Sequence, residues 1–268
     1  MFSRKRILFW VKLLIAIYVV VGVALYFLQD KLLFHPEPLD EGYTYKFDQP
    51  FRQLDVPVTD KKNLSIVQFT VPDSVRKGVV LYFHGNMTNI NRYAPVAPLF
   101  TQNNYEIWMM DYPGFGKTTG KRSEAAMLED AEVLYDMARL RFPAEKIILY
   151  GRSMGSGLAT YLASRHSCQQ LVLETPYYSM HSLMNYYTKI YPASWLSKYE
   201  FPNNKYMAKM IPPVTIFHGT GDEVIPYSQA RRLAALSPKA RLITIQDGGH
   251  NDLAEFEKFR TEIRSLLK

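Results

Sequence analysis

The sequence predicts an α/β fold: one domain with a mainly parallel β-sheet covered by helices, preceded by a long apolar segment at the N-terminus. Short apolar runs of strand length alternate with segments of helical periodicity from about residue 50 to the C-terminus. The 268 residues suffice for one large core. With 47% apolar and 21% charged residues, the composition is that of a globular protein.

The first element is the apolar segment between residues 7 and 28. Its 22 residues carry one charge, Lys12, and as a helix they would extend roughly 30 Å, enough to cross the hydrocarbon core of a bilayer. We therefore expect residues 1–30 to form a short cytoplasmic stub and a transmembrane anchor. The alternative is a cleaved signal peptide, but the apolar run is long for one and ends without a small-residue cleavage site.

The charges on the two sides of this segment differ in sign. Arg4, Lys5 and Arg6 precede it, whereas acidic residues dominate the stretch from Asp30 to Glu41. The positive-inside rule then predicts a single-pass membrane protein with a cytoplasmic N-terminus. Residues 31–268 would lie on the outer, periplasmic or luminal side.

The body contains eight predicted strands and five predicted helices. The strands are placed at 53–58, 64–71, 78–84, 106–111, 146–150, 170–174, 214–218 and 241–245. The helices, with apolar spacing near 3.6 residues, are placed at 92–102, 123–141, 154–166, 228–236 and 253–267. Residues 177–210 break the alternation and are rich in Tyr and Met, which indicates a short inserted cap. This segment either packs on the sheet or forms a lid over an apolar pocket.

The clearest chemical motif is Gly151-Arg152-Ser153-Met154-Gly155, between a predicted strand and a predicted helix. In that setting Gly-x-Ser-x-Gly places the serine in a sharp, exposed turn. A serine hydroxyl needs a base to become a nucleophile, and the base needs an orienting carboxylate. Ser153 is therefore the predicted nucleophile.

The acid and the base are expected later in the chain, in the order serine, acid, histidine. Asp222 follows the seventh predicted strand and His250 follows the eighth. We predict Asp222 as the orienting acid and His250 as the general base. Glu174, at the end of an earlier strand, is the reserve candidate for the acid.

Acyl transfer also requires backbone amides that stabilise an oxyanion. The amide of Met154 is the first candidate, because this residue follows the nucleophile. The amide of Asn86 is the second, because His84-Gly85-Asn86 ends a strand and the glycine lets the backbone approach a substrate. Met87 is the near alternative to Asn86.

These residues resemble the α/β-hydrolase superfamily. With QDKLLFHP at residues 29–36, the motifs HGN, GRSMGS, LETP, HGTGDEVIP and GGHND look like those of the small membrane-anchored serine hydrolases of the hydrolase-domain-containing group. The resemblance covers roughly residues 32–268. It implies an α/β-hydrolase fold and cleavage of an ester, thioester or amide through an acyl-enzyme on Ser153. That group includes depalmitoylating thioesterases and lipases, so no single substrate is implied.

The composition narrows the classes of ligand and partner that can be expected. The net charge is +7, of which residues 1–30 contribute +3, and the rest is spread thinly without a nucleic-acid-binding module. Cys168 is the only cysteine, which excludes an intrachain disulfide and a cysteine-based metal site. We expect no nucleic-acid partner and no metal or organic cofactor. The expected partners are the membrane and a small-molecule or lipid acyl substrate, with an acylated protein as a further candidate.

The sequence thus predicts a membrane-anchored serine hydrolase of the esterase, lipase or thioesterase type with an apolar acyl substrate. Two alternatives remain open. A serine peptidase would use the same acyl-transfer machinery. A noncatalytic interaction protein would keep the fold and use the cap as a docking surface.

Overall fold

The computed structural model describes residues 3–60 and 62–268. The strands are β1 (His35–Pro36), β2 (Phe51–Thr59), β3 (Lys62–Phe69), β4 (Gly78–Phe83), β5 (Met87–Thr88), β6 (Tyr105–Met110), β7 (Ile147–Arg152), β8 (Gln170–Glu174), β9 (Val214–Gly219) and β10 (Ala240–Ile245). The helices are α1 (Arg4–Leu33), α2 (Ile90–Tyr93), α3 (Pro98–Thr101), α4 (Glu124–Arg139), α5 (Ser156–Arg165), α6 (Met180–Thr188), α7 (Ala193–Leu196), α8 (Asn203–Met207), α9 (Tyr227–Ala234) and α10 (Glu257–Leu266).

Eight of these strands form one sheet in the order β10-β9-β8-β7-β4-β6-β3-β2. The strands from β10 to β6 are all parallel, whereas β3 is antiparallel to both β6 and β2. The carboxyl ends of the parallel strands therefore meet at one edge of the sheet. In open α/β sheets, that edge is where ligands bind.

The sheet is buried on both faces. In its central strands, successive side chains alternate between two buried cores, one on each face. In β4, Val79 and Leu81 point into the core under α4, α5 and α9, while Val80 and Tyr82 point into the core under α2, α3 and α10. Period-two alternation in a strand sends successive side chains to opposite faces. The near-continuous apolar runs in the sequence are the consequence of this double burial.

All eight predicted strands are present, and three of the five predicted helices differ in detail. The helix predicted at 92–102 is divided into α2, a 3₁₀ turn at Ala94–Val96 and α3, because Pro95 and Pro98 cannot continue the backbone hydrogen bonding. The helix predicted at 154–166 starts with a 3₁₀ turn, Ser153–Gly155, before α5. The helix predicted at 253–267 is interrupted at Phe256, whose backbone is extended.

Residues 177–210 connect β8 to β9 and contain α6, α7 and α8. The two ends of this segment are core: Tyr177 and Phe201 are buried against the sheet helices. Its middle is not, since Ile190 is 69% and Trp195 82% exposed. The two ends of the segment therefore pack as core, and its middle is exposed.

Helix α1 is 30 residues long and is the one helix in the described residues that is long and apolar enough to cross a membrane. Its second half packs against residues 190–199. The rings of Tyr18 and Tyr191 stack with centroids 4.5 Å apart, and Gln29 bonds the carbonyl of Leu196 and the amide of Lys198. Helix α1 is thus continuous with the body in both sequence and packing.

Candidate active site

Ser153 lies at the turn between β7 and α5, at the carboxyl edge of the sheet. Its φ of +52° is in the left-handed region, which costs free energy for a residue with a side chain. The neighbouring glycines make this turn possible. A Cβ on Gly155 would lie 2.0 Å from the carbonyl oxygen of Phe83, and one on Gly151 would lie 2.6 Å from the carbonyl of Gly155. The turn therefore has the strained geometry of a nucleophile elbow.

The loops after β9 and β10 bring Asp222 and His250 to this turn. The His250 Nε2 atom lies 3.0 Å from Ser153 Oγ, and its Nδ1 atom lies 2.8 Å from Asp222 Oδ2. Since a carboxylate only accepts, Nδ1 carries the proton and Nε2 is left to accept from the serine hydroxyl. The structure thus brings together all three side chains that were predicted as nucleophile, base and acid.

The carboxylate of Asp222 is buried and well supplied with donors. Its Oδ1 atom accepts from the amides of Val224 at 2.9 Å and Ile225 at 2.7 Å. Burial by itself would raise the pKa of Asp222, but hydrogen bonds from His218 and His250 and from the Ile225 amide outweigh it and hold the pKa well below its ordinary value. The group is therefore a carboxylate over the whole physiological pH range.

His218, in β9, also contacts Asp222 and was not among the predicted site residues. Its Nε2 atom donates to the carbonyl of Ile225 at 2.8 Å and lies 3.3 Å from Asp222 Oδ2. The ring is fully buried. The spacing His218-x-x-x-Asp222 was visible in the sequence, but only the turn after β9 directs both side chains to the same point.

Glu174, the reserve acid, lies elsewhere. Its carboxylate is 3.2 Å from Arg152 Nε and accepts from the hydroxyl of Tyr150, and no hydrogen bond joins it to His250 among the described contacts. Arg152 in turn reaches the carbonyl of Asn251, next to His250. Glu174 and Arg152 therefore connect the serine turn to the histidine loop.

The loop after β4 carries the candidate oxyanion donors. A Cβ on Gly85 would lie 3.7 Å from the Cβ of Ser153, so this loop passes directly beside the serine. Asn86 is fixed from both sides: its side chain donates to the carbonyl of Leu33 at 2.6 Å, and its carbonyl accepts from the amide of His35. Met154 follows Ser153 in the 3₁₀ turn that leads into α5. Both amides are thus on loops that border Ser153.

The segment QDKLLFHP (residues 29–36), which includes the end of α1, supplies these contacts to Asn86. Its last two residues form β1, which pairs in parallel with β5 immediately after Asn86. In the sequence, this segment contributes only to the resemblance to the membrane-anchored serine hydrolases. Its structural effect is to attach the end of α1 to the loop beside the serine.

A cavity of about 420 Å³ opens beside this loop. Its volume is within the range typical of small-molecule sites. The lining is mainly apolar and comes from α1, α6, α7 and the loops at Asn86 and Val224: Leu25, Gln29, Leu32, Leu33, Asn86, Met180, Leu183, Met184, Tyr187, Thr188, Tyr191, Ala193, Leu196 and Val224.

The described part of the chain contains neither a cluster of metal ligands nor a reactive thiol at its cysteine, Cys168. No group of three or more His, Cys, Asp or Glu side chains there is arranged to hold a metal ion. Burial raises the pKa of the Cys168 thiol to about 12, which keeps it protonated and unreactive.

Comparison with known proteins defines the class. A family model described as serine aminopeptidase, S33, matches residues 74–212, more than half of the chain, and a model described as alpha/beta hydrolase fold matches residues 177–257. The chain belongs to the α/β-hydrolase superfamily. Within it, the first of these models places the chain among the serine hydrolases.

Two relatives are similar over most of this chain. Alpha/beta hydrolase domain-containing protein 17C of Xenopus tropicalis is 30% identical over 194 residues, which are 70% of this chain and 61% of that protein. The uncharacterized protein YfhR of Escherichia coli O157:H7 is 28% identical over 219 residues, 76% of this chain and 75% of that protein. The chain thus spans about three fifths of the first relative and three quarters of the second.

Solved structures share the fold. An esterase of Pyrococcus furiosus has a TM-score of 0.69 at 18% identity, over 88% of this chain and 97% of that chain. A soluble variant of monoglyceride lipase from Saccharomyces cerevisiae has a TM-score of 0.67 at 16% identity, over 84% and 98%. At such identities the likeness concerns the fold and not the substrate.

Proposed function

We propose that this protein is a membrane-anchored serine hydrolase that cleaves a carboxylic ester or thioester with an apolar acyl group. Ser153 is the nucleophile, His250 the base and Asp222 the orienting acid. The observation that carries the proposal is the unbroken series of hydrogen bonds from Ser153 to His250 at 3.0 Å and from His250 to Asp222 at 2.8 Å.

In the acylation step, Ser153 Oγ bonds to the acyl carbonyl carbon while His250 Nε2 takes the hydroxyl proton. The carbonyl π electrons move onto the oxygen, where the amides of Met154 and Asn86 donate to the oxyanion. Asp222 stabilises the imidazolium that forms and does not itself take the proton. As the carbonyl re-forms, His250 gives the proton to the departing alcohol or thiol, and the acyl group stays on Ser153.

Deacylation repeats these steps with water. His250 removes a proton from the water as its oxygen attacks the acyl carbon, and the proton then passes to Ser153 Oγ when the carboxylic acid leaves. The same residues therefore act in both halves of the reaction.

The cavity beside Asn86 supports an apolar acyl group as the bound part of the substrate. Among the described residues, those that line it include hydrophobic side chains from three helices and no carboxylate. An aminopeptidase, which the description of the matched family suggests, needs an anionic partner for the substrate ammonium group. The lining therefore favours an ester or thioester over a peptide.

Helix α1 supports retention of the N-terminal segment as an anchor. A segment that is cleaved would leave the ring of Tyr191 and the backbone at Leu196 and Lys198 without the partners that α1 supplies. The basic residues at positions 4–6 favour a cytoplasmic N-terminus. We therefore place the hydrolase domain, residues 31–268, on the outer side of the membrane with residues 177–210 as its cap.

Fluorophosphonate labelling tests the catalytic assignment. We expect the wild-type chain to be labelled and Ser153→Ala to be unlabelled, and we expect both Ser153→Ala and His250→Ala to lower ester turnover by at least about a thousandfold. Ser164→Ala and His166→Ala, which lie outside the site, are the matched controls. Equal labelling of wild type and Ser153→Ala would refute the nucleophile.

The same preparation separates the alternatives. An unlabelled wild type that turns over neither esters nor thioesters would favour a noncatalytic interaction protein. Faster cleavage of aminoacyl p-nitroanilides than of acyl esters would favour a serine peptidase. We expect acyl esters to be preferred, because the cavity is apolar.

A further inference from the structure

One wall of the cavity beside Asn86 belongs to α1. Leu25 and Leu32 of that helix line the cavity together with Leu183 and Met184 of α6. A membrane anchor that served only as a tether would need no contact with a binding cavity. Here the anchor helix supplies apolar side chains to the cavity, which then opens next to the helix and its surrounding lipid.

Two of the residues that line the cavity are close to the reacting groups. Asn86 lines it and follows Gly85, which lies beside Ser153. Val224 lines it too, and the amide of that residue donates to Asp222. A substrate with its carbonyl at Ser153 can therefore direct its acyl chain between α1 and α6.

This cavity shares lining residues with another cavity that lies farther along α1, toward the N-terminus. A second cavity of about 210 Å³ lies between residues 18–23 of α1 and residues 191–196, and Tyr191 and Leu196 line both cavities. From Leu33 to Tyr18 the helix extends about 22 Å. The second cavity therefore lies within the segment 7–28 that matches the hydrocarbon core.

Two of the exposed side chains near this second cavity are large and apolar. Ile190 is 69% and Trp195 is 82% exposed. Both are close to α1: the carbonyl of Ile190 accepts from the Tyr18 hydroxyl at 2.8 Å, and the carbonyl of Leu196, next to Trp195, accepts from Gln29. Large exposed apolar residues beside a transmembrane segment are stable in lipid and costly in water. This part of the surface is thus suited to lie in the bilayer.

We propose that α1 is a substrate-binding element, and that a fatty acyl chain enters from the bilayer along the groove between α1 and residues 191–196. The chain then occupies the cavity between α1 and α6, with its carbonyl at Ser153. This inference rests on the proposed hydrolase function and adds the route and the site of the acyl chain.

Cavity-filling variants of the full-length chain in lipid vesicles test the proposal. In Leu25→Trp, the indole would occupy the α1 side of the cavity, and in Met184→Trp the α6 side. We expect each to lower the ratio of kcat/KM for a C12 p-nitrophenyl ester to that for a C4 ester by at least tenfold. Labelling by a fluorophosphonate with a short alkyl group reports whether Ser153 is still reactive in each variant.

Leu28→Trp is the matched control, because Leu28 lies on the same helix, is 48% exposed and is outside the cavity lining. Its C12 to C4 ratio should equal that of wild type. Unchanged ratios in both cavity variants would overturn the proposal. Loss of labelling in the wild type would instead overturn the hydrolase function on which it rests.

A cavity variant that misfolds would lose C4 and C12 turnover equally. In that case, crosslinking on the wild-type chain tests the proposal instead. A fluorophosphonate with a C12 chain and a terminal diazirine is attached to Ser153 of the wild-type chain and photolysed. Crosslinks within residues 18–33 and 180–196 support the route along α1. Crosslinks confined to other parts of the chain overturn it.

Two sources can supply the acyl chain, and two substrates distinguish them. A C12 monoacylglycerol and a peptide with a C12 S-acyl cysteine are presented in the same vesicles. Turnover of either supports the proposal and identifies the source as a membrane lipid or an acylated protein. Cleavage of neither, with the C4 ester still cleaved, overturns it.

Discussion

At the residue scale, Asp222 and Glu174 are two buried carboxylates with different partners. Asp222 accepts from His250 and from two backbone amides, whereas Glu174 pairs with Arg152. Both lie at strand ends on the same edge of the sheet. For this reason the sequence offered both as candidates for the acid that orients His250. Their hydrogen-bond partners, which come from distant parts of the chain, distinguish them.

Substitution of the two carboxylates should give opposite results. We expect Asp222→Asn to lower kcat about a thousandfold or more, because His250 loses the partner that sets its tautomer. Glu174→Gln should keep turnover within about tenfold but destabilise the fold by about 3 kcal/mol, since it leaves Arg152 without its buried partner. Ester kinetics and thermal unfolding measure the two effects. An equal loss of kcat in both variants would contradict the assignment of Asp222.

The low pKa of Asp222 gives stability a definite pH dependence. A carboxylate whose pKa is lower in the folded state than the ordinary value of about 4 stabilises the fold above that pH, and this contribution is lost as the pH falls toward the folded pKa. We therefore expect the wild type to lose stability below about pH 4. In Asp222→Asn that component should be absent, which acid titration of the unfolding free energy would detect.

His218 is expected to position Asp222. In His218→Phe the carboxylate loses one donor, so its pKa should rise and the acid loss of stability should move to higher pH. We expect kcat to fall about tenfold, in line with one hydrogen bond to a charged group. If kcat falls but the acid loss of stability stays at the same pH, His218 only fills space and does not act on the carboxylate of Asp222.

At the element scale, the turn between β7 and α5 depends on close backbone contact. The amide and side chain of Ser153 are placed by a helix that starts against β4, where Gly155 lies under the carbonyl of Phe83. The sequence motif predicted this turn, because two glycines at this spacing are needed wherever a strand and a helix approach so closely. It did not predict the 3₁₀ turn at its start.

A methyl group at position 155 should disrupt the turn. In Gly155→Ala, the Cβ would lie 2.0 Å from backbone oxygen, and backbone cannot move aside as a flexible side chain can. We expect a destabilisation of about 3 kcal/mol and at least tenfold slower fluorophosphonate labelling. Gly42→Ala is the control, because a Cβ there meets nothing within 4 Å. Normal labelling of Gly155→Ala would show that the turn tolerates more space than its contacts indicate.

At the scale of the whole molecule, α1 joins the apolar N-terminal segment to the edge of the sheet where Ser153 lies. The helix continues into the segment that fixes Asn86, and its second half packs on residues 190–199. In the proposed membrane-anchored hydrolase, the orientation of the domain relative to the bilayer would be set by this packing as well as by the tether.

The predicted topology can be tested with reporters at the C-terminus. We expect alkaline phosphatase fused after Lys268 to be active and a fusion reporter that requires the cytoplasm to be inactive, because Arg4, Lys5 and Arg6 favour a cytoplasmic N-terminus. Replacing these three residues by Glu should reduce or invert the difference. A cytoplasmic C-terminus in the wild type would contradict the predicted outer location.

The sequence alone determined the α/β class, the eight strands, the apolar N-terminal segment and the positions of Ser153, Asp222 and His250 at strand ends. Those features depend on local periodicity and on motifs of a few residues, which the chain order preserves. Only the tertiary structure decided which carboxylate meets His250, that His218 approaches Asp222, and that α1 and α6 enclose a cavity. These contacts join residues far apart in sequence, and the packing of the sheet and its loops determines them.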